Sequence, residues 1–172
     1  MRRVLIIGSA GAGKSTLATR LAGKLQLPVI HLDALYWQPG WKETPKDIWQ
    51  ERVAELIQQD AWIMDGNYGG TMEMRVHAAD TVILLDIPRT QCLFRVFKRA
   101  LRYRGRTRPD MNPGCPEMLP DWEFIRWIWT YPKLRRPGIL DLLSRHDAGK
   151  RVLILRSSGD VERFLMSVNG PS

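Results

Sequence analysis

One glycine-rich segment constrains this chain more than any other part of its sequence. Residues 8–15 are GSAGAGKS, which matches the pattern GxxxxGK[ST] at every fixed position. An apolar run at 4–7 comes directly before it, and apolar residues recur at helical spacing over 17–25 after it. A strand, a glycine-rich turn and a helix in this order are the context in which the pattern binds phosphate. The sequence therefore predicts a phosphate loop at residues 8–15.

The chemistry of the phosphate loop follows from its residue types. Glycines allow successive backbone N–H groups to point toward phosphate oxygens, and the helix N-terminus adds a partial positive charge. Lys14 is expected to reach the β- and γ-phosphates of a nucleotide, and Ser15 is expected to bind Mg²⁺. The alternative is a turn that only joins strand to helix, and the match of both motif and context counts against it.

Short apolar segments alternate with helical ones along the chain. This pattern is typical of a parallel sheet covered by helices on both faces. The sequence therefore predicts an α/β fold with five parallel strands, and the length of 172 residues favours a single domain over 1–172. The strands are expected at 4–7, 28–32, 61–64, 81–85 and 151–155.

The segments between the strands carry start and stop signals for helices. Thr44 is expected to be the N-cap of a helix, after an irregular loop at 33–44. Pro132 and Pro137 are expected to break the helical stretch 121–146, because proline lacks the N–H that a helix interior needs. The remaining helices are predicted at 90–103 and 161–168.

Composition excludes several classes of protein. Two cysteines without a CxxC spacing argue against a disulfide scaffold or a structural zinc site, and they favour a reducing, cytoplasmic setting. No apolar stretch approaches the roughly 18 residues that a membrane span requires, so no membrane association is expected. The net charge of +8 permits a polyanionic partner, either a nucleotide or a nucleic acid.

Three aspartates stand where predicted strands end. Asp33, Asp65 and Asp86 each follow an apolar run, and Asp65 is followed by a glycine. The C-terminal ends of parallel strands open onto one crevice, where ligands bind. Each aspartate is therefore a candidate to face Mg²⁺ or substrate, with a helix-capping role as the alternative for any single one.

A basic run from 89 to 108 holds eight cations and no acidic residue. On a helix, Arg95, Lys98, Arg99 and Arg102 share one face. The apolar residues of the opposite face are expected to pack on the core, and they are Leu93, Val96, Phe97, Ala100 and Leu101.

The basic run leads into a Gly- and Pro-rich loop at 105–120, in which Cys115 is expected to be exposed. Because no acid lies between the cations, they repel one another unless an anion binds. This favours a lid-like segment around 100–125 that closes over a triphosphate. The alternatives are a solvated basic face and a surface that holds a nucleic-acid backbone.

Beyond these patterns, the chain resembles the adenylate kinase-like nucleotide kinases. The resemblance rests on the phosphate loop, on Asp65-Gly66, and on LLDIP at 84–88 before a helix with two arginines four apart. A closer resemblance is to the P-loop kinases named DNA topology modulation proteins, or FlaR-like proteins. It rests on HLDALYW at 31–37, Trp41, DGNY at 65–68 and the segment through 135–137.

The resemblance implies a sheet order of 2-3-1-4-5 and a set of site residues. Asp65 would bind Mg²⁺ through water, Arg95 would lie near the adenine or ribose of ATP, and Arg99 would approach the transferring phosphate. The backbone of 157–160 would approach the adenine base. The residues that would bind the nucleotide and its Mg²⁺ are Gly8, Ser9, Ala10, Gly11, Ala12, Gly13, Lys14, Ser15, Thr16 and Arg95.

The acceptor side departs from the nucleotide kinases. Where those proteins continue their third-strand motif with Phe-Pro-Arg, this chain has Asn67-Tyr68-Gly69, so Arg75 either supplies the missing cation or is an exposed helix residue. Asp33 resembles the carboxylate that kinases of the shikimate and gluconate type present to an acceptor hydroxyl, and it otherwise binds substrate or metal. Three aromatic residues of the following loop either stack a nucleobase or pack beneath the loop, namely Tyr36, Trp37 and Trp41.

The sequence thus favours an ATP- and Mg²⁺-dependent phosphotransferase with a small-molecule acceptor, most simply a nucleoside monophosphate. Lys14, Arg95, Arg99 and Asp33 are the expected catalytic residues, acting by positioning and charge neutralisation. Two alternatives stay open: a kinase for a small hydroxyl compound, and a nucleic-acid-associated ATP-binding regulator that affects DNA topology. Direct DNA binding is less favoured, because no DNA-binding motif is present. A monomer or a weak homodimer is expected.

Overall fold

The computed structural model describes residues 1–146 and 149–168. Its elements alternate between strands and helices for most of the chain. They are β1 (Arg3–Gly8), α1 (Lys14–Leu25), β2 (Val29–His31), α2 (Leu32–Tyr36), β3 (Trp37–Gln38), β4 (Lys42–Glu43), α3 (Lys46–Leu56), β5 (Trp62–Asp65), α4 (Gly69–Ala78), β6 (Thr81–Leu85), α5 (Arg89–Arg102), α6 (Trp122–Leu134), α7 (Arg136–Arg145), β7 (Arg151–Leu155) and α8 (Ser158–Ser167).

The main sheet has five parallel strands in the order β2-β5-β1-β6-β7, which confirms the predicted order. β1, β5 and β6 lie inside the sheet and are buried on both faces, which explains why each is a continuous apolar run. The register places His31 beside Asp65, and Gly8 beside Leu85. The ends of β2, β5 and β1 therefore meet at one edge, directly below the phosphate loop.

Helices cover both faces of the sheet, and each face has its own apolar core. Val4 and Ile6 of β1 belong to the core that includes residues of α1, α5, α6 and α8. Leu5 and Ile7 point the other way, into a core with residues of α3, α4 and α7. This alternation follows from the two-residue period of a strand. The sheet, including its carboxyl edge, therefore lies between two apolar cores.

Residues 33–44 are more ordered than the irregular loop that the sequence predicts. They contain α2 and a short antiparallel hairpin of β3 and β4. Thr44 is not an N-cap: Pro45 holds that position, and the Thr44 hydroxyl donates instead to the Tyr36 carbonyl at 2.6 Å. The hydroxyl therefore closes the hairpin rather than starting α3.

The two prolines after residue 121 behave differently. Pro132 lies inside α6 and does not break it, because a proline in the last turn removes only one intrahelical hydrogen bond. The helix ends at Leu134, and Pro137 sits in the first turn of α7, where a missing N–H costs little. The last helix begins at Ser158, three residues before the predicted start, and a capping box of Ser157 and Asp160 initiates it.

The apolar side of α5 packs on the core only in part. Val96 and Ala100 are buried, but Phe97 is 41% exposed and Leu101 is 67% exposed, so that part of the packing prediction is wrong. At 3.6 residues per turn, these two side chains lie about 100° and about 140° around the helix from the buried line. The surface of α5 that packs on the core is therefore narrower than the predicted apolar face of this helix.

Among the residues that the structure describes, no helix is long and apolar enough to cross a membrane.

Candidate functional site

The phosphate loop joins β1 to α1 through three glycines with positive φ. The φ angles of Gly8, Gly11 and Gly13 are 147°, 76° and 98°. A Cβ on Gly11 would lie 2.2 Å from the Cys92 carbonyl oxygen, and a Cβ on Gly8 would lie 2.5 Å from that of Leu85. The loop thus needs glycine both for its backbone angles and for its close approach to α5 and β6.

Lys14 folds back over the phosphate loop. Its ammonium donates to the Ser9 carbonyl at 3.1 Å. Burial lowers the pKa of Lys14, while the nearby carboxylates of Asp33 and Asp65 act in the opposite direction. Its ammonium group therefore lies near two acidic residues at the carboxyl edge of the sheet.

The Ser9 hydroxyl is one group of the phosphate loop that suits an anion. Its side chain is buried, and its Oγ has no hydrogen-bond partner among the residues that the structure describes. An unpaired buried hydroxyl is costly, and a phosphate oxygen in the loop would pair with it. The loop residues therefore fit a bound phosphate.

Ser15, Asp65 and His31 form a connected group at the strand ends. Ser15 Oγ donates to Asp65 Oδ2 at 2.7 Å, and His31 Nδ1 lies 2.6 Å from Asp65 Oδ1. The hydrogen bond with Asp65 is the main cause of a raised His31 pKa. A hydroxyl beside a carboxylate is a donor set that suits Mg²⁺. The described residues hold no cluster of three metal-ligating side chains, so phosphate oxygens and water would have to complete the coordination of the ion.

Asp33 stands in the first turn of α2 and faces Tyr68. The Tyr68 hydroxyl donates to Asp33 Oδ1 at 2.6 Å. Burial and the Asp33 charge raise the pKa of Tyr68, so the phenol stays protonated and remains a donor. Asp33 is also close enough to Lys14 to raise the pKa of that ammonium group.

Asp86, the third strand-end aspartate, is engaged elsewhere. Its carboxylate pairs with Arg136 at 2.9 Å and with Arg156 at 3.9 Å. These contacts tie α7 and the end of β7 to the end of β6. Of the three candidates, Asp33 and Asp65 are the two that lie around Lys14.

Arg95 links the phosphate loop to α8. Its guanidinium donates to the Ala12 carbonyl at 3.2 Å and to the Ser158 hydroxyl at 2.9 Å. A cavity of about 300 Å³ opens beside it, lined by loop residues, by Thr16 and by apolar side chains of Ile87 and Val161. A pocket with one polar wall and one apolar wall suits the nucleoside part of a nucleotide.

Arg99 has an acidic partner that the basic run lacks. Glu117, from the loop after α5, pairs through Oε1 with Arg99 at 2.9 Å and through Oε2 with Arg108 at 2.7 Å. The expectation that these cations have no acidic neighbour is therefore wrong, because it considered only residues 89–108. Arg99 is nonetheless close enough to Lys14 to lower its pKa.

The loop after α5 is fastened to the β3–β4 hairpin. The Gly40 N–H donates to the Gly114 carbonyl at 2.8 Å, and the Trp41 indole donates to the Pro116 carbonyl at 3.0 Å. Cys115 is buried rather than exposed, and its thiol contacts the Gln38 carbonyl at 3.2 Å. We refer to these three contacts as the hairpin–loop junction.

The aromatic residues after Asp33 pack against one another. The ring of Tyr36 lies 5.1 Å from Trp37, 5.1 Å from Trp49 and 4.6 Å from Tyr68, measured between centroids. Trp37 and Trp41 are 5.5 Å apart, with edge-to-face geometry. This arrangement is packing beneath the hairpin, the second of the two interpretations open from the sequence.

Arg75 is the residue that sequence reasoning placed least well. It neither reaches the acceptor side as a cation nor lies exposed on α4: it is completely buried and donates to the carbonyls of Gly66, Asn67 and Tyr68. One signal was present in the sequence. Thr71, Met72, Arg75 and Val76 follow the spacing of a buried helix stripe, which places the arginine inward.

Comparisons with known proteins bear on the fold. No protein-family model matches the sequence, and no curated protein matches it significantly. A shikimate kinase from Acinetobacter baumannii superposes with a TM-score of 0.60 at 16% identity, over 98% of this chain and 90% of that one. A deoxyadenosine kinase from M. mycoides superposes with a TM-score of 0.52 at 15% identity, over 95% and 96%. The five-stranded parallel sheet between helices is therefore the fold of the P-loop kinases.

Proposed function

We propose that this protein is an ATP- and Mg²⁺-dependent phosphotransferase that acts on a small molecule. The observation that carries the proposal is the glycine-rich phosphate loop, with Lys14 folded over it and close enough to Asp33 and Asp65 for both carboxylates to raise its pKa. One carboxylate belongs to the Ser15 side of the ammonium group and the other to the Tyr68 side. A donor phosphate would thus bind on the Ser15 side and an acceptor on the Tyr68 side.

The donor side suits a nucleoside triphosphate. Residues 8–16 would hold its phosphates, and Arg95 would contact it from the cavity beside Ser158. Ser15 and Asp65 would hold Mg²⁺, which neutralises phosphate charge when bound. A backbone contact of 157–160 with the adenine base stays a prediction. The side chains of Ser157 and Asp160 cap α8.

The transfer itself needs positioning and charge neutralisation rather than a covalent intermediate. An oxygen of the acceptor bonds to the γ-phosphorus, the bond from that phosphorus to the β,γ-bridging oxygen breaks, and ADP leaves. Lys14 and Arg99 would neutralise the negative charge of the phosphate oxygens. For a hydroxyl acceptor, the proton passes to a carboxylate, and Asp33 is the residue placed for this role.

Within this class, the contacts favour a hydroxyl acceptor over the nucleoside monophosphate that the resemblance favours. A monophosphate needs cations on the acceptor side, but Arg75 is buried against backbone carbonyls and Asp33 adds negative charge there. The two structural neighbours are named for shikimate and deoxyadenosine, which carry hydroxyl groups and no phosphate. Membership of the adenylate kinase-like or FlaR-like groups stays a prediction.

A nucleic-acid-associated regulator is the rival from another class. Four cations of the basic run are exposed and are available to a polyanion, namely Lys98, Arg102, Arg104 and Arg106. Against this, Arg95, Arg99 and Arg108 make contacts within the chain that hold the phosphate loop and the loop after α5. Direct DNA binding, the cytoplasmic location and the monomer or weak homodimer stay predictions.

The test is conversion of ATP to ADP with Mg²⁺ in the presence of a panel of acceptors. The panel contains nucleosides, small hydroxy acids, sugars, nucleoside monophosphates and DNA. Lys14→Ala is the inactive variant, and Lys24→Ala, an exposed lysine at the other end of α1, is the matched control. We expect one small acceptor to stimulate turnover in the parent and in Lys24→Ala only.

Other outcomes separate the rivals. Turnover with a monophosphate that survives Asp33→Asn would reject the hydroxyl acceptor and keep the kinase. ATP hydrolysis that rises only with DNA would reject the kinase and would indicate that the basic run binds nucleic acid. Turnover that survives Lys14→Ala would reject the site itself.

A further inference from the structure

A single buried arginine satisfies the backbone of the turn between β5 and α4. The Arg75 guanidinium donates from Nη1 to the Gly66 carbonyl at 2.9 Å, and from Nη2 to the carbonyls of Asn67 and Tyr68 at 2.6 and 2.9 Å. Its Nε donates to the carbonyl and the hydroxyl of Thr71, both at 3.2 Å. We refer to residues 66–68, the last three of the DGNY motif at 65–68, as the DGNY turn.

The contacts of Arg75 are unusual for a buried charge. Its hydrogen-bond acceptors in the described chain are backbone carbonyls, the Thr71 hydroxyl and the Met72 sulfur, with no carboxylate among them. Burial lowers the pKa of Arg75 to about 9, which still leaves the group charged at neutral pH. Burying a cation without an anion costs free energy, and several carbonyl dipoles offset that cost. Such an arrangement requires all of the carbonyls to stay aimed at one point.

The DGNY turn has a backbone that does not hold its shape unaided. Tyr68 has φ 27° and ψ 81°, and Gly66 has φ 139°. A non-glycine residue at positive φ is strained and persists only where its surroundings restrain it. The Arg75 guanidinium donates to the carbonyls of Asn67 and Tyr68, before and after this strained position, and so restrains the turn.

The two side chains that leave the DGNY turn reach the two halves of the candidate site. Asn67 Oδ1 accepts a hydrogen bond from the Gly8 N–H at 3.1 Å, at the start of the phosphate loop. The Tyr68 hydroxyl donates to Asp33 Oδ1 at 2.6 Å, on the acceptor side. The turn is thus the one segment of the described chain that hydrogen-bonds both groups.

We propose that Arg75 is a positioning residue that sets the phosphate loop and the acceptor carboxylate at a fixed distance from each other through the DGNY turn. It touches neither substrate. Arg75 affects nucleotide binding through the hydrogen bond of Asn67 to the phosphate loop. It affects the position of Asp33 through the hydrogen bond of Tyr68. The second half of this inference rests on the proposed function, whereas the first half requires only that the loop binds a nucleotide.

The experiment is a pair of double-mutant cycles. The first measures kcat and KM for the acceptor in Arg75→Lys, Tyr68→Phe and the double variant. The second measures the Kd for Mg-ADP in Arg75→Lys, Asn67→Ala and that double variant. Lysine keeps the charge of Arg75 but has three donors on one nitrogen, whereas the planar guanidinium reaches Thr71 and the three carbonyls from three nitrogens. We expect kcat to fall about tenfold in Arg75→Lys, and Mg-ADP binding to weaken about fivefold.

The decisive readout is non-additivity. If Arg75 acts through Tyr68 and Asn67, adding either of those changes to Arg75→Lys has almost no further effect. A merely structural arginine would instead give additive effects, together with a lower melting temperature and unchanged kcat. Additive effects or an unchanged kcat, in a folded Arg75→Lys protein, would overturn the proposal.

A gentler variant covers the case in which Arg75→Lys does not fold. Thr71→Val keeps the shape of the side chain and removes the hydroxyl, which accepts from Arg75 Nε and donates to the Tyr68 carbonyl, each at 3.2 Å. Thr130→Val is its matched control, since the Thr130 hydroxyl also bonds a helix carbonyl but lies on α6. We expect Thr71→Val to weaken Mg-ADP binding about threefold and Thr130→Val to leave it unchanged. Equal Mg-ADP affinities in the two variants would overturn the proposal.

The two cycles also separate this inference from the proposed function. If no acceptor supports turnover, the proposed function fails, and the Mg-ADP cycle still decides whether Arg75 positions the phosphate loop. If turnover occurs but both cycles are additive, the function stands and the inference fails.

Discussion

Nε of Arg99 lies 2.9 Å from Oε1 of Glu117, a carboxylate that is almost fully buried. The arginine expected to approach the transferring phosphate is therefore already paired. The other oxygen of the same carboxylate holds Arg108 at 2.7 Å. Glu117 thus keeps two cations together that would otherwise repel each other, and it ties the end of α5 to the loop that follows.

Replacing Glu117 tests this pairing. Glu117→Gln removes the carboxylate that two guanidinium groups share, although Arg108 keeps Asp110 at 3.0 Å, and we expect the unfolding free energy to fall by about 2 kcal/mol. Trypsin should then cleave faster within residues 104–108. Urea denaturation and limited proteolysis measure both effects. Glu162→Gln, which breaks the exposed pair with Arg20, is the control and should leave the cleavage rate unchanged.

Gly11 offers a steric test of the phosphate loop. A Cβ at this position would lie 2.2 Å from the Cys92 carbonyl oxygen, so Gly11→Ala must push the loop away from α5. We expect nucleotide binding to be lost and the melting temperature to fall. Gly23→Ala is the control, because nothing lies within 4 Å of its Cβ position on α1. It should raise the unfolding free energy by about 0.5–1 kcal/mol. Retention of tight Mg-ADP binding by Gly11→Ala would show that the loop shape is not needed.

The pair of His31 and Asp65 predicts a pH-dependent stability. The hydrogen bond to Asp65 raises the pKa of folded His31 above its value in the unfolded chain, which is about 6.5. The pair therefore stabilises the protein fully below that value and loses its effect as pH rises through the folded pKa. Without Mg²⁺, the parent should exceed His31→Asn by on the order of 1 kcal/mol at pH 5.5 and by less at pH 8.5. A difference that grows with pH would contradict the assignment.

Arg95 should govern nucleotide affinity more than turnover. Its contacts with Ala12 and Ser158 join the phosphate loop to α8, where we propose that the nucleotide binds. Arg95→Met removes two hydrogen bonds beside the cavity, and we expect the KM for ATP to rise about tenfold, equivalent to about 1.4 kcal/mol. Arg102→Met, on the exposed face of the same helix, should leave the KM unchanged. Equal KM values for the two variants would place the nucleoside elsewhere.

The contact between the phosphate loop and Asp65, in the donor half of the proposed site, was predictable because these residues follow one another or end a strand. Ser15 and Lys14 lie within a contiguous motif, and Asp65 meets Ser15 because parallel strands end at a common edge. The sheet order also followed correctly, although from the resemblance and not from strand patterns, which carry no information about neighbours. Local patterns suffice where the geometry of an element fixes the partner.

The rest of the site depends on contacts between distant segments. Glu117 lies 18 residues beyond Arg99, and Arg75 turns inward to carbonyls that carry no sequence signature. Asp86 resembles Asp65 in its position after an apolar strand, yet Arg136, 50 residues away, engages it. Side-chain pairing of this kind is decided by tertiary packing, so a pattern along the chain does not reveal it.

The hairpin–loop junction has a consequence for how this protein can be re-engineered. Three contacts join the segment after Asp33 to the segment after α5, although they lie far apart in sequence. A chimera that receives the segment after Asp33 from another protein of this fold would lose the matching surface for Gly114, Cys115 and Pro116. Exchange of this segment therefore requires the segment after α5 to be transplanted with it, as one unit.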